Sequence, residues 1–146
     1  MWQIPRSLIT VLLCATLGAC SAANAHRMDT PGVAGCQSGA DGMRRLELLF
    51  GLTLKDGSRI ATAEWQSFVD AEVTPRFPEG LTVLRGYGQW RTKNGVIVRV
   101  ITHVLVVWYR PDAESDAKIE AIRSAYKAQF TQESVMRVDS ASCVSF

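Results

Sequence analysis

The chain is 146 residues long, which is the length of one domain, and 47% of its residues are hydrophobic and 21% charged. Sixteen Lys and Arg against fourteen Asp and Glu give a net charge of +2, and the sequence contains no run of basic residues. With so small a net charge and no basic run, the chain is not expected to bind nucleic acid or an anionic membrane surface through its charge.

The first nineteen residues have the layout of a secretory signal peptide. Arg6 supplies a positive charge, Leu8–Ala15 is an apolar run too short to span a bilayer, and small residues follow. The segment Leu17–Cys20 resembles the lipobox of bacterial lipoproteins, in which the cysteine carries a lipid. We therefore expect residues 1–19 to be removed and Cys20 to anchor the chain in the bacterial envelope, facing the periplasm.

A second cleavage site follows closely. Ala23-Asn24-Ala25 has the small-x-small pattern of ordinary signal cleavage, which would release a soluble protein starting at His26. Under either alternative the chain is exported.

Residues 20–43 are rich in Ala, Gly, Ser, Asp and Pro and predict a flexible tether, which leaves residues 44–146 as a single α+β domain.

Export changes the interpretation of the cysteines, because thiols tend to pair in an oxidising compartment. Cys14 is lost with the leader and Cys20 carries the lipid, so Cys36 and Cys143 remain. An even remainder in an exported protein predicts one disulfide. The alternative is two unpaired, buried thiols.

The folded part opens with a strand and a helix. Alternating apolar residues predict the strand: Leu46, Leu48, Phe50, Leu52 and Leu54. Helical spacing of apolar residues then predicts a helix over Ala63–Val73, with Thr62 as its N-cap. Pro75 ends this helix, and Pro78 prevents another from starting.

Two further strands form a predicted hairpin. Leu81–Arg91 is the second strand, and Asn94-Gly95 is a dipeptide favoured in tight hairpin turns. Val96–Tyr109 is apolar on both alternating sets and is longer than a usual strand, so we expect a bulge or bend near Ile101-Thr102.

The chain ends with a second helix and a last strand. Asp112 is the predicted cap of a helix that ends near Gln129. Ser134–Ser140 is the predicted strand, with Met136 and Val138 as core candidates.

The order strand, helix, strand, strand, helix, strand predicts a ferredoxin-like α+β fold. In this βαββαβ arrangement a four-stranded antiparallel sheet has its first and third strands in the centre and two helices on one face. Cys36 and Cys143 then flank the same end of the sheet. Because the third strand is apolar on both faces, we expect the uncovered face to meet a partner such as a second copy, giving a homodimer.

Several segments together resemble a known bacterial family, the domain of unknown function 3574. They are Glu64-Trp65, Thr74–Val83, Gly88–Trp90, Lys118–Ser140 and Cys143-Val144, and the resemblance covers Leu46–Phe146. It implies no particular reaction. It also implies that export or a lipid anchor is common among the members, which agrees with the leader.

The sequence lacks the common catalytic and cofactor signatures. Beyond the leader the sequence has two histidines, His26 and His103, so neither a metal site nor a cofactor is expected. Gly86–Arg91 begins like a dinucleotide fingerprint but lacks the last glycine and leads into a hairpin. No serine lies in a nucleophile elbow. No catalytic residue is assigned.

His103 interrupts an apolar strand and is a candidate site residue. Its intrinsic pKa suits a general acid or base. The alternative is a structural histidine, hydrogen-bonded at a bend of the strand.

Four arginines could bind an anion, since guanidinium groups hold carboxylates and phosphates with two hydrogen bonds. They are Arg76, Arg91, Arg99 and Arg137. Alternatively, each extends from a strand edge or pairs with an acidic residue such as Glu79, Glu133 or Asp139. Trp90 could line a ligand cleft or belong to the core.

Two functions follow from these observations. The first is an exported lipoprotein whose folded part is a non-catalytic binding or structural module of the cell envelope. The second is a small ligand-binding or enzymatic domain that uses His103 with Arg76 and Gln89, and Trp90 as a further lining residue. A cleft that gathers these four side chains would favour the second.

Overall fold

A computed structural model of the chain describes residues 35–146. The predicted leader, Cys20 and the alternative cleavage site at Ala25 lie outside the described residues. Within residues 35–146 neither helix is long and apolar enough to cross a membrane. The helices and strands are β1 (Asp41–Gly51), α1 (Thr62–Phe68), β2 (Thr82–Arg91), β3 (Ile97–Tyr109), α2 (Ser115–Gln129) and β4 (Met136–Val144).

The four strands form one antiparallel sheet in the order β2-β3-β1-β4. Strands β1 and β3 are therefore central, and the ferredoxin-like arrangement predicted from the element order is confirmed. Alternate side chains in the overlapping parts of β1 and β3 pack against the two helices on one face of the sheet: Leu46, Leu48, Phe50, Leu105 and Val107. We refer to this as the helix side and to the opposite face as the open sheet face.

Phe50 lies at the centre of the core. Its ring is completely buried and makes edge contacts with Trp65, Phe68 and Tyr126 at centroid distances of 5.2, 5.8 and 4.5 Å. The hydroxyl of Tyr126 donates a hydrogen bond to the carbonyl of Gly51 at 3.0 Å. Both helices are thus held on the same strand by aromatic packing and by a satisfied polar group.

The first helix differs from the prediction at both ends. Its N-cap is Ala61 and not Thr62, because the Glu64 carboxylate accepts a hydrogen bond from the backbone N–H of Ala61 at 2.8 Å. At the other end the helix continues as a π-helical turn over Val69–Val73, in which the N–H of Thr74 donates to the carbonyl of Val69. Apolar spacing alone does not reveal such a turn.

The bulge expected near Ile101-Thr102 is wrong. β3 pairs with β2 in an unbroken register from Ile97 opposite Arg91 to Val106 opposite Thr82. Its unusual length has another origin, since β1 pairs only with residues 102–109 of β3. The first five residues of β3 therefore extend beyond β1, and among them only Ile101 also bonds to the chain after β1, where its carbonyl accepts a hydrogen bond from the N–H of Leu52 at 2.9 Å.

The core role predicted for Met136 and Val138 is also wrong. β4 begins at Met136 and runs to Val144, and its register places Met136 opposite Leu49 and Val138 opposite Glu47. Both side chains therefore point to the open sheet face and are exposed, while Val135, just before the strand, is buried in the core. An apolar strand residue was assigned to the core because the sequence does not show which face is covered.

Cys36 and Cys143 form the predicted disulfide. Cys143 lies opposite Gly42 near the end of β4, so the bond ties the segment before β1 to an edge strand. The bond closes a loop between residues that are 107 positions apart in the chain. The alternative of two unpaired thiols is wrong.

We predict that Cys143→Ser lowers the free energy of unfolding by about 2–5 kcal/mol, because the unfolded chain regains the freedom of a long loop. Urea unfolding of the full-length chain measures the loss. Reduced wild-type protein and the Cys36→Ser variant should show the same loss, since all three break one bond. Unchanged unfolding midpoints in all three would contradict this role.

Candidate functional site

The extension of the β2–β3 hairpin beyond β1 leaves part of the helix side uncovered. There the side chains of Tyr87, Gln89 and Arg99 point to the helix side but reach past the helices, and Tyr87 is 81% exposed. In the core, this side of the sheet is filled by apolar residues. At the hairpin it carries the polar and basic residues Gln89, Arg91 and Arg99 as well as Tyr87, Ile97 and Ile101.

A tight loop after β1 brings Arg59 to the same place. The loop is closed by backbone hydrogen bonds from Leu54 to the Ser58 carbonyl and from Ile60 to the Leu52 carbonyl, at 2.8 and 3.0 Å. Asp56 reinforces it by accepting hydrogen bonds from the backbone and hydroxyl of Ser58, which lowers the pKa of the Asp56 carboxyl.

These residues line two adjoining depressions, of 480 and 200 Å³, which share Arg59 and Ile101. We call the two together the arginine groove. The larger one is lined also by Thr53, Tyr87, Gly88, Gln89, Arg99 and Val100, and the smaller one by Leu52, Ile60, Thr62, Trp65, Arg85 and His103.

The groove is positively charged. Arg59, Arg85 and Arg99 contribute three guanidinium groups, and no carboxylate is among its lining residues. Across residues 35–146, none of these three arginines lies within 4 Å of an acidic side chain, whereas five other arginines do: Arg45, Arg76, Arg110, Arg123 and Arg137. Of the five arginines in residues 35–146 that have no acidic partner, three therefore line this groove and are free to hold an external anion, while Arg44 and Arg91 are not among its lining residues.

His103 lies at the inner end of the groove, opposite Phe50 in β1 and Arg85 in β2. Its ring packs edge-on against Trp65 at a centroid distance of 4.7 Å, and Nδ1 is buried without a hydrogen-bond partner. Burial and, secondarily, the positive charge of Arg85 lower the pKa of His103. The imidazole is therefore neutral at neutral pH. β3 pairs with both β1 and β2 without interruption at His103.

The four candidate residues named from the sequence are not gathered in one place. Gln89 and His103 line the two halves of the arginine groove. Arg76 lines a separate crevice of 290 Å³ at the other end of β3, where its guanidinium lies 3.0 Å from the Glu72 carboxylate. Trp90 projects from the open sheet face, on the other side of the sheet from His103.

The arginines considered from the sequence also separate into two groups. The guanidinium of Arg137 lies 2.6–3.0 Å from the carboxylates of Asp116, Glu120 and Asp139. Arg137 thus pairs with acidic residues, as the alternative to an anion site predicted. Arg99 lies in the groove. Arg91 is exposed, lies opposite Ile97 in β3 and is not among the residues that line the groove.

Arg59 and Arg85 were missed by the sequence analysis. Arg85 could have been found, because counting outward from the Asn94-Gly95 turn places it opposite His103. Arg59 reaches the groove through a loop geometry that the sequence does not reveal. Among residues 35–146, no three His, Cys, Asp or Glu side chains are placed to hold a metal ion.

The lowered pKa of His103 predicts a pH dependence of stability. The unfolded chain, in which a histidine has a pKa of about 6.5, takes up a proton that the folded chain binds less readily. Stability should therefore fall as the pH is lowered from 7.5 to 5.5. Thermal unfolding of the wild type should show this fall, and His103→Gln should reduce it. Equal pH profiles for the two chains would contradict the assignment.

Two solved structures have a similar fold. One is entitled phage SAM lyase in complex with S-methyl-5′-thioadenosine, with a TM-score of 0.55, 12% identity, and coverage of 77% of this chain and 94% of the other. The second is a phage SAM lyase in the apo state, with a TM-score of 0.52, 13% identity, and coverage of 72% and 90%. Identities this low show a shared fold and no more.

No curated protein matches the sequence. The family model described as "Protein of unknown function (DUF3574)" matches residues 45–146, which span β1 from its fifth residue to the last residue of the chain. This range contains all the residues of the arginine groove. The resemblance noted from the sequence segments is thereby confirmed, and the chain belongs to the DUF3574 family.

Proposed function

We propose that the domain is a non-catalytic binding module that holds a small organic anion in the arginine groove. One observation carries the proposal: three arginines from two strands and a loop meet at one groove, and none of them has an acidic partner within residues 35–146. Cations brought together in this way repel one another, so a bound anion would relieve their repulsion.

The groove suits a ligand with an anionic group and an apolar body. Guanidinium groups hold phosphate or carboxylate oxygens with paired hydrogen bonds, and Gln89 adds an amide that can donate or accept. Ile101 and the exposed ring of Tyr87 offer apolar surface beside these charges. We therefore propose an organophosphate or organic carboxylate of modest size as the ligand.

The proposed module is exported and carried on a lipid at Cys20. Support comes from the leader pattern and from the Cys36–Cys143 disulfide, which is compatible with an oxidising compartment. Cleavage after Ala25 is the alternative and would give a soluble exported protein.

We predict that cells producing the full-length chain incorporate labelled palmitate into it. Cys20→Ser should abolish the labelling, whereas Cys14→Ser, which changes a cysteine six residues earlier, should retain it. A wild-type protein that starts at His26 and carries no label would contradict the anchor.

A second candidate function is enzymatic action on SAM or a related nucleoside. The fold likeness to phage SAM lyase favours it. The charge of the groove opposes it, because the sulfonium of SAM is positive and would face three guanidinium groups with no carboxylate among the lining residues. Binding of SAM in preference to an anion would support this candidate over the proposed one.

Calorimetric titration of the full-length chain with pyrophosphate tests the proposed function. We predict saturable binding to the wild type, and a roughly tenfold or larger increase in Kd for Arg59→Gln or Arg99→Gln, which each remove a charged hydrogen-bond donor. Arg110→Gln is the matched control, since it removes the same charge at the far end of β3, where Arg110 pairs with Asp41.

Three outcomes separate the candidates. Weaker binding by the groove variants alone supports the anion site. Equal weakening by all three variants indicates only a general attraction between charges and contradicts it. Binding of SAM or S-methyl-5′-thioadenosine without binding of pyrophosphate moves the assignment to the second candidate.

A further inference from the structure

The open sheet face is the side of the sheet that no described element covers. Apart from glycines, the register places on it Thr82, Leu84 and Trp90 of β2, Val98, Val100, Thr102, Val104, Val106 and Trp108 of β3, Asp41, Met43, Arg45, Glu47 and Leu49 of β1, and Met136, Val138, Ser140, Ser142 and Val144 of β4. A sheet face turned to water usually carries polar side chains. Here most of the side chains are apolar.

The exposed apolar residues are spread over the whole face. Five of the large apolar side chains on it are between 38% and 60% exposed: Leu84, Trp90, Trp108, Met136 and Val138. They lie on both edge strands and on central β3. Strands of this length cover roughly 600 Å² in projection, polar side chains included, which lies at the upper end of the range for the largest apolar patch of a typical monomer and approaches the ~800 Å² that each partner buries in a standard interface.

The charges on this face cancel. Arg45 lies 2.8 Å from the Glu47 carboxylate and stacks over the Trp108 ring, with 5.5 Å from its guanidinium carbon to the ring centre. At the margin, Arg110 lies 2.7 Å from Asp41. Each charge is therefore neutralised by a neighbour on the same chain, and none is left for a charged partner to recognise.

We propose that the open sheet face is covered by the same face of a second copy of this chain. In a twofold interface each copy presents identical charges to the other, so a face with unbalanced charge would repel itself. A neutral apolar face does not. Two such sheets can pack about 10 Å apart with their side chains interleaved, as the two layers of a sandwich do. A charged partner or an anionic membrane would instead require unpaired charge on this face.

The dimer is independent of the anion site. The arginine groove opens on the helix side, whereas the proposed interface lies on the opposite face of the same strands. Failure of one proposal therefore leaves the other standing.

Sedimentation of the full-length chain over 1–200 µM tests the interface. We expect wild-type protein to sediment as a dimer, and Leu84→Lys to lower the association constant at least a hundredfold by placing like charges in an apolar contact. Ile97→Lys is the matched control, because it introduces the same charge at an exposed apolar residue of the β2–β3 hairpin that points to the helix side.

Val138→Lys repeats the test on the other edge strand, should Leu84→Lys fail to fold. Circular dichroism and the intact disulfide report folding of each variant. A dimer in the wild type and in Ile97→Lys, with a monomer in Leu84→Lys or Val138→Lys, supports the proposal. A monomeric wild type at 200 µM overturns it, as does a folded Leu84→Lys variant that associates as tightly as the wild type. Either result would leave another occupant, such as the residues before Gly35, to cover the face.

Discussion

The pairing of β3 determines where the domain can bind anything. This strand is hydrogen-bonded to β2 from its first residue, but to β1 only over residues 102–109. The aromatic cluster around Phe50 fills the helix side where all the layers overlap. Beyond that overlap the hairpin continues without a helix above it. Side chains that point to the helix side there include the polar and basic Gln89, Arg91 and Arg99 beside Tyr87, Ile97 and Ile101.

The arginines of this domain illustrate how local surroundings decide the role of a residue type. Arg137 meets three carboxylates, so its charge is satisfied and it serves to tie α2 to β4. Arg45 is neutralised by Glu47 and packs on an aromatic ring. Arg59 and Arg99 have no such partners in the part of the chain that the structure describes. An external anion can therefore gain most from these last two, together with Arg85. The two proposed surfaces consequently differ in chemistry, one being cationic and concave and the other neutral and flat.

The sequence was sufficient for the architecture and insufficient for the site. Element order and the apolar alternation of β1 predicted the sheet and its central strands, since these depend on periodicity and on topology. The disulfide between Cys36 and Cys143 was predicted from the even number of cysteines left in an exported chain. Met136 and Val138 were misplaced because periodicity shows that two faces exist and not which of them is covered. The predicted cluster of Arg76, Gln89, Trp90 and His103 is absent from the structure for a related reason. Two residues of one strand lie on the same face of the sheet only if an odd number of residues separates them. Residues of different strands lie at the same end of the sheet only if the register brings them together, and the register is defined only once the strands are paired.

The central claim is that an anion binds at three particular guanidinium groups. Magnetic resonance of the arginine Nε–Hε signals of the full-length chain during a pyrophosphate titration measures this directly. The account predicts that the signals of Arg59, Arg85 and Arg99 shift together and saturate at one concentration, while those of Arg45 and Arg137 stay in place. Shifts of similar size and without saturation at all five arginines would contradict the account.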